Sequence, residues 1–153
     1  MSFGEQSMAF AQKLGQMYVS LQDKSFVEME QALLQLEADW TAAVAEPEAR
    51  EVRRRIAEEL LMGAYARDLA WPQFSMALER VRALGYSNRE RQVHVACLFA
   101  RWAHRRHEHE EDARQALDEA EQQVALGGPS DPANHQMQAS IDKTRDDTGY
   151  RSR

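Results

Sequence analysis

The chain has 153 residues, of which 43% are hydrophobic and 29% charged, and its formal net charge is −6. This length suggests one domain, and the scarcity of glycine and proline favours helices over a turn-rich β architecture. An acidic chain is a poor default binder of nucleic acid or of an anionic membrane, because both attract clustered Lys and Arg. The single cysteine, Cys97, excludes an intrachain disulfide and suits a reducing compartment.

The beginning of the sequence lacks the basic region and apolar run of a secretory signal. No stretch approaches the roughly 18 consecutive apolar residues that a membrane span requires. We therefore expect a cytoplasmic protein with no membrane partner, and we expect no nucleic-acid partner.

Six segments carry apolar residues at the three- and four-residue spacing of an amphipathic helix. They cover approximately 7–22, 26–45, 48–69, 71–84, 88–107 and 110–126. Two capping boxes are predicted, Ser25 with Glu28 before the second segment and Ser87 with Glu90 before the fifth. Gly85 suits the position after a helix, where a positive φ is common.

Residues 128–153 are polar and contain few large apolar side chains, namely Met137, Ile141 and Tyr150. Such a segment buries too little surface to offset the entropy lost on ordering. We therefore predict a helical domain over 1–127 and a disordered tail over 128–153, with a short helix at 133–143 that forms on a partner.

A short pattern recurs 34 residues apart in the third and fifth segments: two adjacent apolar or small residues, followed three positions later by an aromatic residue. It reads Leu61, Met62 and Tyr65, then Val95, Ala96 and Phe99. The first segment has a similar triplet, Leu14, Gly15 and Tyr18. This pattern resembles the tetratricopeptide repeat, in which small residues allow helices to approach closely and the aromatic fills the space between pairs.

The resemblance implies an all-α fold of about six helices in three antiparallel pairs, arranged as a tetratricopeptide-like α-solenoid. A compact helical bundle with the same spacing is the alternative. It also implies a non-catalytic adaptor or small chaperone that binds a helical or extended peptide of another protein in a groove between helix pairs. The contact residues that it suggests are Tyr18, Gln22, Tyr65, Asp68, Phe99 and Trp102.

An unpaired end of so short an array would favour a homodimer or docking on a larger complex. A structural helical subunit of a larger assembly is therefore the alternative function. Two arginine groups, Arg53–Arg55 and Arg101 with Arg105 and Arg106, could form a basic stripe for an acidic peptide or a phosphate group. The other interpretation is a solvated helix face paired with nearby Glu. Arg54, Arg101 and Arg105 join the predicted contacts.

His94, Cys97 and His104 fall close to one face of the fifth segment, and such side chains are good zinc ligands. However, Arg101 lies between them, and the paired cysteines of a structural zinc site are missing from the sequence. Cys97 lies in the apolar run VACLFA, where a thiol is inert. We predict no enzyme and no cofactor; a small metal- or thiol-dependent enzyme at these three residues is the rival hypothesis.

Overall fold

Every regular element in the described part of the chain is an α-helix. The computed structural model describes residues 3–128 and 130–152, and it has seven helices and no strand in these ranges. Their bounds are α1 (Phe3–Leu21), α2 (Phe26–Thr41), α3 (Glu46–Ala66), α4 (Trp71–Leu84), α5 (Arg89–Arg106), α6 (Glu110–Ala125) and α7 (Pro132–Thr148). The prediction of an all-α fold is confirmed. The six predicted segments correspond to α1–α6.

The helices divide into two compact units, one ending at Gly85 and the other beginning at Tyr86. The first unit contains α1–α4 and the second contains α5–α7. This differs from the predicted single domain over 1–127. Gly85 has the predicted positive φ, at 80°. The sequence around it is that of an ordinary helix end and does not indicate a boundary between units. The division therefore depends on packing, which the local sequence does not reveal.

In the first unit, α3 packs against both α2 and α4. Ile56, Ala57 and Leu60 on α3 are fully buried because they lie on the face that these neighbours cover. One apolar cluster joins α1, α2 and α3; it consists of Phe10, Leu14, Met29, Leu33, Leu36, Val52, Ile56 and Leu60. Helix α2 has fewer contacts with α1 than with α3. Helix α1 is therefore the least tightly packed helix of this unit.

The two predicted capping boxes have different outcomes. The Ser25 hydroxyl accepts a hydrogen bond from the Glu28 backbone N–H at 3.2 Å, so Ser25 caps α2 as predicted. The Glu28 carboxylate accepts from the Ser25 hydroxyl at 3.1 Å, whereas in a capping box it accepts from the backbone N–H, so only the serine half of the first box is confirmed. The second is wrong, because α5 is capped one residue later. Asn88 Oδ1 accepts the Arg91 backbone N–H at 2.9 Å, and asparagine caps helices at least as well as serine.

The second unit is built around α5, which packs against α6 and α7. Alanines allow α5 and α6 to approach closely; Ala100, Ala103, Ala113 and Ala120 are fully buried. Helices α5 and α7 run in the same direction, because Cys97 lies beside Ser140 and, further along, Arg101 lies beside Thr144. This arrangement leaves a channel between their exposed faces.

Helix α7 occupies the segment predicted to be a disordered tail, and the prediction is wrong for residues 132–148. The buried Arg145 guanidinium donates to the Asp118 carboxylate at 2.9 Å and to the Tyr150 backbone carbonyl at 3.2 Å. The Tyr150 ring is buried, and its hydroxyl donates to Glu110 at 2.8 Å. The polar composition of this segment predicts solvated side chains. In the structure these side chains form hydrogen bonds and ion pairs between α6 and the segment that contains α7.

Candidate functional site

A groove with an apolar floor opens between α1, α2 and α3 in the first unit. It encloses about 220 Å³. We call it the apolar groove; its lining residues are Leu14, Tyr18, Leu21, Gln22, Met29, Leu33, Glu59, Met62, Gly63, Ala66 and Arg67. Three helices contribute because α1 lies over the α2–α3 pair without filling the space between them.

The floor of the apolar groove is formed by buried side chains. Leu14, Met29 and Leu33 are each at most 4% exposed. The Met29 thioether lies against Gly63, where a Cβ atom would overlap its sulfur. Glycine inside a helix costs about 0.5–1 kcal/mol relative to alanine, so its presence in α3 accords with this close approach.

The rim of the apolar groove is amphipathic. Tyr18 is 45% exposed, and Gln22 is exposed beside it. The Arg67 guanidinium donates to the carbonyl oxygens of Leu21 at 2.7 Å, Lys24 at 3.0 Å and Gly63 at 3.2 Å. The bonds to Leu21 and Lys24 hold the carboxyl end of α1 against α3.

Exposed apolar side chains accompany this groove on the same two helices. Met8 and Val19 on α1 are 67% and 70% exposed, and Val27 at the start of α2 is 61% exposed. Single exposed apolar residues are common on protein surfaces. Here they belong to two of the helices that border the apolar groove, and none of the three lines it.

A second groove lies in the second unit, along the channel between α5 and α7. It encloses about 520 Å³. We call it the polar groove; its lining residues are Asn88, Glu90, Arg91, Val93, His94, Cys97, Arg101, Gln136, Met137, Ser140, Lys143 and Thr144. Most of these side chains are polar, in contrast to the apolar groove.

Positive charge predominates along the polar groove. Arg101 donates to Asp147 at 2.9 Å and to the Thr144 hydroxyl at 3.3 Å. The hydrogen bond from Arg101 lowers the pKa of the Asp147 carboxyl, with a further contribution from the charge of Lys143. Partial burial lowers the pKa of His94, and the nearby Arg91 charge acts in the same direction. Desolvation is the main cause at His94 and the hydrogen bond is the main cause at Asp147, and the charges of Arg91 and Lys143 add smaller contributions in the same directions.

Cys97 lies at the bottom of the polar groove, and its thiol donates to the Ser140 carbonyl oxygen at 3.7 Å. Burial raises the pKa of this thiol, and the charges of Arg101 and Arg145 offset only part of that effect. A raised pKa keeps the thiol protonated at neutral pH, and the protonated form is a poor nucleophile and a poor metal ligand.

The three residues of the rival enzyme hypothesis do not line one site together. His94 and Cys97 line the polar groove, whereas the His104 ring packs edge-on against Tyr150, with centroids 5.9 Å apart. Across residues 3–128 and 130–152, no group of three or more His, Cys, Asp or Glu side chains could hold a metal ion. His104 therefore lies apart from the two residues that line the polar groove.

Five of the nine predicted contact residues lie in the two grooves or in the core. Tyr18 and Gln22 lie together at the apolar groove, and Arg101 lines the polar groove. Phe99 and Trp102 are at most 1% exposed, so they belong to the core of the second unit and are unsuited to surface contact.

The remaining predicted residues lie outside both grooves. Tyr65 is half-buried, and Asp68 has a positive φ of 51° just after α3. Arg54 donates to the Leu84 carbonyl at 3.1 Å and so holds the end of α4. Arg105 is exposed near the end of α5.

Sequence reasoning missed Gly63, Met29 and Lys143 as lining residues. A glycine within an apolar helical pattern is the signal that could have identified Gly63, because such a glycine often marks a close approach. Lys143 had no such signal, since it lies in the segment that was predicted to be disordered.

Within the described residues, each helix is either too short or too polar to cross the hydrocarbon core of a bilayer. Comparison with known protein families, curated proteins and solved structures found no match to this chain.

Proposed function

We propose that this protein is a non-catalytic interaction module, an adaptor or small chaperone, whose apolar groove binds an amphipathic helix of a partner protein. One observation carries the proposal: a groove of about 220 Å³ between three helices has a floor formed by the buried side chains of Leu14, Met29 and Leu33, with Tyr18 exposed at its rim. Helix-in-groove recognition uses this combination of an apolar floor and an amphipathic border.

The lining chemistry favours a helical occupant of variable sequence. Met29 and Met62 are flexible and polarizable, so they can adapt to different apolar side chains. Gln22, Glu59 and Arg67 at the border offer polar groups to the solvated face of a bound helix. The protonated Cys97 thiol agrees with a module that performs no chemistry, and the reducing cytoplasm is the compartment that would keep it free.

We further infer that α1–α2, α3–α4 and α5–α6 are degenerate tetratricopeptide-like pairs. The contacts between the neighbours in each pair and the buried alanines of α5 and α6 support this inference. A second copy of the chain is an alternative occupant of the apolar groove, which would make the protein a homodimer. Light scattering of the purified protein over a range of concentrations separates this alternative from binding of another protein.

Site-specific photocrosslinking tests the proposed function. A photoreactive phenylalanine analogue is introduced in place of Tyr18 or Met62, which line the apolar groove, or Gln31, which is exposed on α2 outside it. After irradiation in cells, mass spectrometry identifies the crosslinked peptide. We expect both groove positions to capture the same apolar helical segment of one partner and Gln31 not to capture it.

Two results would contradict the proposal. Crosslinks of equal yield and identity at all three positions would indicate nonspecific contact. Crosslinks only between copies of this chain, together with a concentration-dependent dimer in solution, would assign the groove to self-association instead.

A further inference from the structure

The polar groove extends along α5 with positively charged groups at two separate positions. Arg91 lies near one end, and Arg101 lies ten residues later, beside Lys143 of α7. Ten residues of α-helix correspond to about 15 Å. Helices α5 and α7 run in the same direction and touch at Cys97 and Ser140, which form part of the floor of the groove between these ends.

The charge of this channel is opposite to that of the whole chain. Arg91, Arg101 and Lys143 line it against a single acidic lining residue, Glu90, whereas the chain carries a net charge of −6. Asp147 neutralises part of the Arg101 charge from outside the lining. A cationic channel on an acidic protein attracts anionic groups locally while the rest of the surface repels them.

We propose that the polar groove binds an extended acidic segment of a partner protein, with one carboxylate near Arg91 and another near Arg101 and Lys143. An extended chain advances about 3.3 Å per residue, so the roughly 15 Å between the two ends corresponds to carboxylates four or five residues apart. Exposed Gln136 and Ser140 lie between these ends and can hydrogen-bond the peptide backbone of the segment.

The geometry favours this occupant over two others. A small anion such as phosphate is too short to reach both ends and would use half of the groove. Single-stranded nucleic acid binds through stacking platforms as well as cations, and the lining residues include no Phe, Tyr or Trp, with the His94 imidazole as their single aromatic ring. A helix has a diameter of about 10–12 Å with its side chains, which is wide for a channel between two helices that touch at its floor.

This inference does not depend on the apolar groove, because the polar groove lies in the other unit and has a different chemistry. A protein partner that presents both an apolar helix and an acidic extended segment would gain binding affinity from both grooves.

The test measures fluorescence anisotropy of a labelled Gly/Ser peptide with two glutamates five positions apart, titrated with the full-length protein at low salt. We expect Arg91→Gln and Lys143→Gln each to weaken binding by about threefold to fivefold, the scale of a solvent-exposed ion pair. Lys13→Gln makes the same charge change at an exposed position of α1 and should leave binding unchanged. Circular dichroism checks that all variants are folded.

Peptide and competitor controls decide between occupants. Glutamine in place of both glutamates should abolish binding, and two adjacent glutamates should bind several-fold more weakly. Equal binding of the adjacent-glutamate peptide, or no effect of Arg91→Gln and Lys143→Gln, would overturn the proposal. Tighter binding of oligo-dT that is lost in the same variants, or full displacement of the peptide by an equimolar amount of inorganic phosphate, would also overturn it.

The apolar groove serves as an internal control in this experiment. Gly63→Ala, which alters only the apolar groove, should leave the acidic peptide bound as in the wild type. Failure of the crosslinking experiment at Tyr18 therefore leaves this inference standing, and failure of the peptide titration leaves the proposed function standing.

Discussion

The Tyr150 hydroxyl donates a 2.8 Å hydrogen bond to the Glu110 carboxylate, 40 residues earlier in the chain. The buried ring also lies under the Arg114 guanidinium, 5.0 Å from the ring centroid. Tyr150→Phe keeps the ring and removes the bond, so we expect the free energy of unfolding of the second unit to fall by about 1–2 kcal/mol. Urea unfolding measures it. Tyr18→Phe, at an exposed ring, is the control; equal midpoints for both variants would show that the bond contributes nothing measurable.

Arg145 and Arg151 form a matched pair for the effect of burial on an ion pair. The side chain of Arg145 is 7% exposed and pairs with Asp118 and Glu121, whereas Arg151 and its partner Asp146 are both more than 70% exposed. Arg145→Ala leaves two partly buried carboxylates without their cation, so we expect a loss of about 2–3 kcal/mol in the free energy of unfolding. Arg151→Ala should cost less than about 0.5 kcal/mol. Thermal and urea unfolding of both variants test this, and similar losses would contradict the burial argument.

The raised pKa of the Cys97 thiol gives a pH dependence with a definite sign. In the folded state the thiol holds its proton more strongly than in the unfolded chain, because burial disfavours the thiolate. Its contribution to stability is complete below the unfolded pKa, about 8.5, and is lost as the pH rises through the folded pKa.

Cys97→Ala removes that contribution. Between pH 8 and 9.5 we expect the free energy of unfolding of the wild type to fall by up to about 1 kcal/mol more than that of the variant. The pKa of Tyr150 is also raised, mainly by burial, but this affects both proteins equally. Parallel pH profiles of the two proteins would contradict the prediction.

Gly63 and Gly15 offer a paired test of the apolar groove. A Cβ at Gly63 would displace the flexible Met29 thioether, whereas a Cβ at Gly15 meets nothing within 4 Å. Gly15→Ala should stabilise α1 by about 1 kcal/mol through helix propensity and leave the groove open. Gly63→Ala should change stability little, because displacement of Met29 offsets the same gain.

The Met29 methyl resonance is the measurement for this pair. It should shift in Gly63→Ala and stay in place in Gly15→Ala, and partner capture at Tyr18 should decrease only in Gly63→Ala. A decrease in both variants would mean that α1 itself, not the groove, controls capture.

Arg67, just after α3, ties the end of α1 to α3 through the backbone carbonyls of Leu21 in α1 and of Lys24 just beyond it. Arg67→Ala removes these charged hydrogen bonds, so we expect amide hydrogen exchange over residues 8–21 to accelerate by at least about tenfold. Arg53→Ala breaks an exposed ion pair with Glu46 in the same unit and is the control. Equal exchange in α1 for both variants would show that apolar packing alone holds this helix.

How well the sequence predicts each feature of the fold depends on how far apart in the chain the interacting residues lie. Helix periodicity is local, so the positions of α1–α6 were predictable, as was the cap at Ser25. Arg145 and Tyr150 act over 27 and 40 residues, and no local pattern distinguishes them from solvated side chains. For that reason α7 was predicted to be disordered.

The candidate site shows the same limit. Tyr18 and Phe99 occupy equivalent places in the repeated pattern, yet one is half-exposed at a groove and the other is buried in a core. The pattern identifies which helix face is apolar, but whether a neighbouring helix covers that face depends on tertiary packing. A groove forms where a neighbouring helix covers an apolar face only in part. The residues that line it therefore cannot be predicted from one helical segment alone.

The network around Arg145 also constrains how this chain can diverge. Arg145 cannot be exchanged alone without leaving Asp118 and Glu121 as neighbouring carboxylates at a partly buried position. A lineage that replaces the arginine must therefore replace the two acids at nearly the same time, or pass through a less stable ancestor. Apolar core positions tolerate single volume-conserving exchanges among Leu, Ile and Met, usually at a cost below about 1.5 kcal/mol. The coupled residues are then the signature by which a distant homologue would remain recognisable: Asp-x-x-Glu in α6, followed by Arg and, five residues later, Tyr.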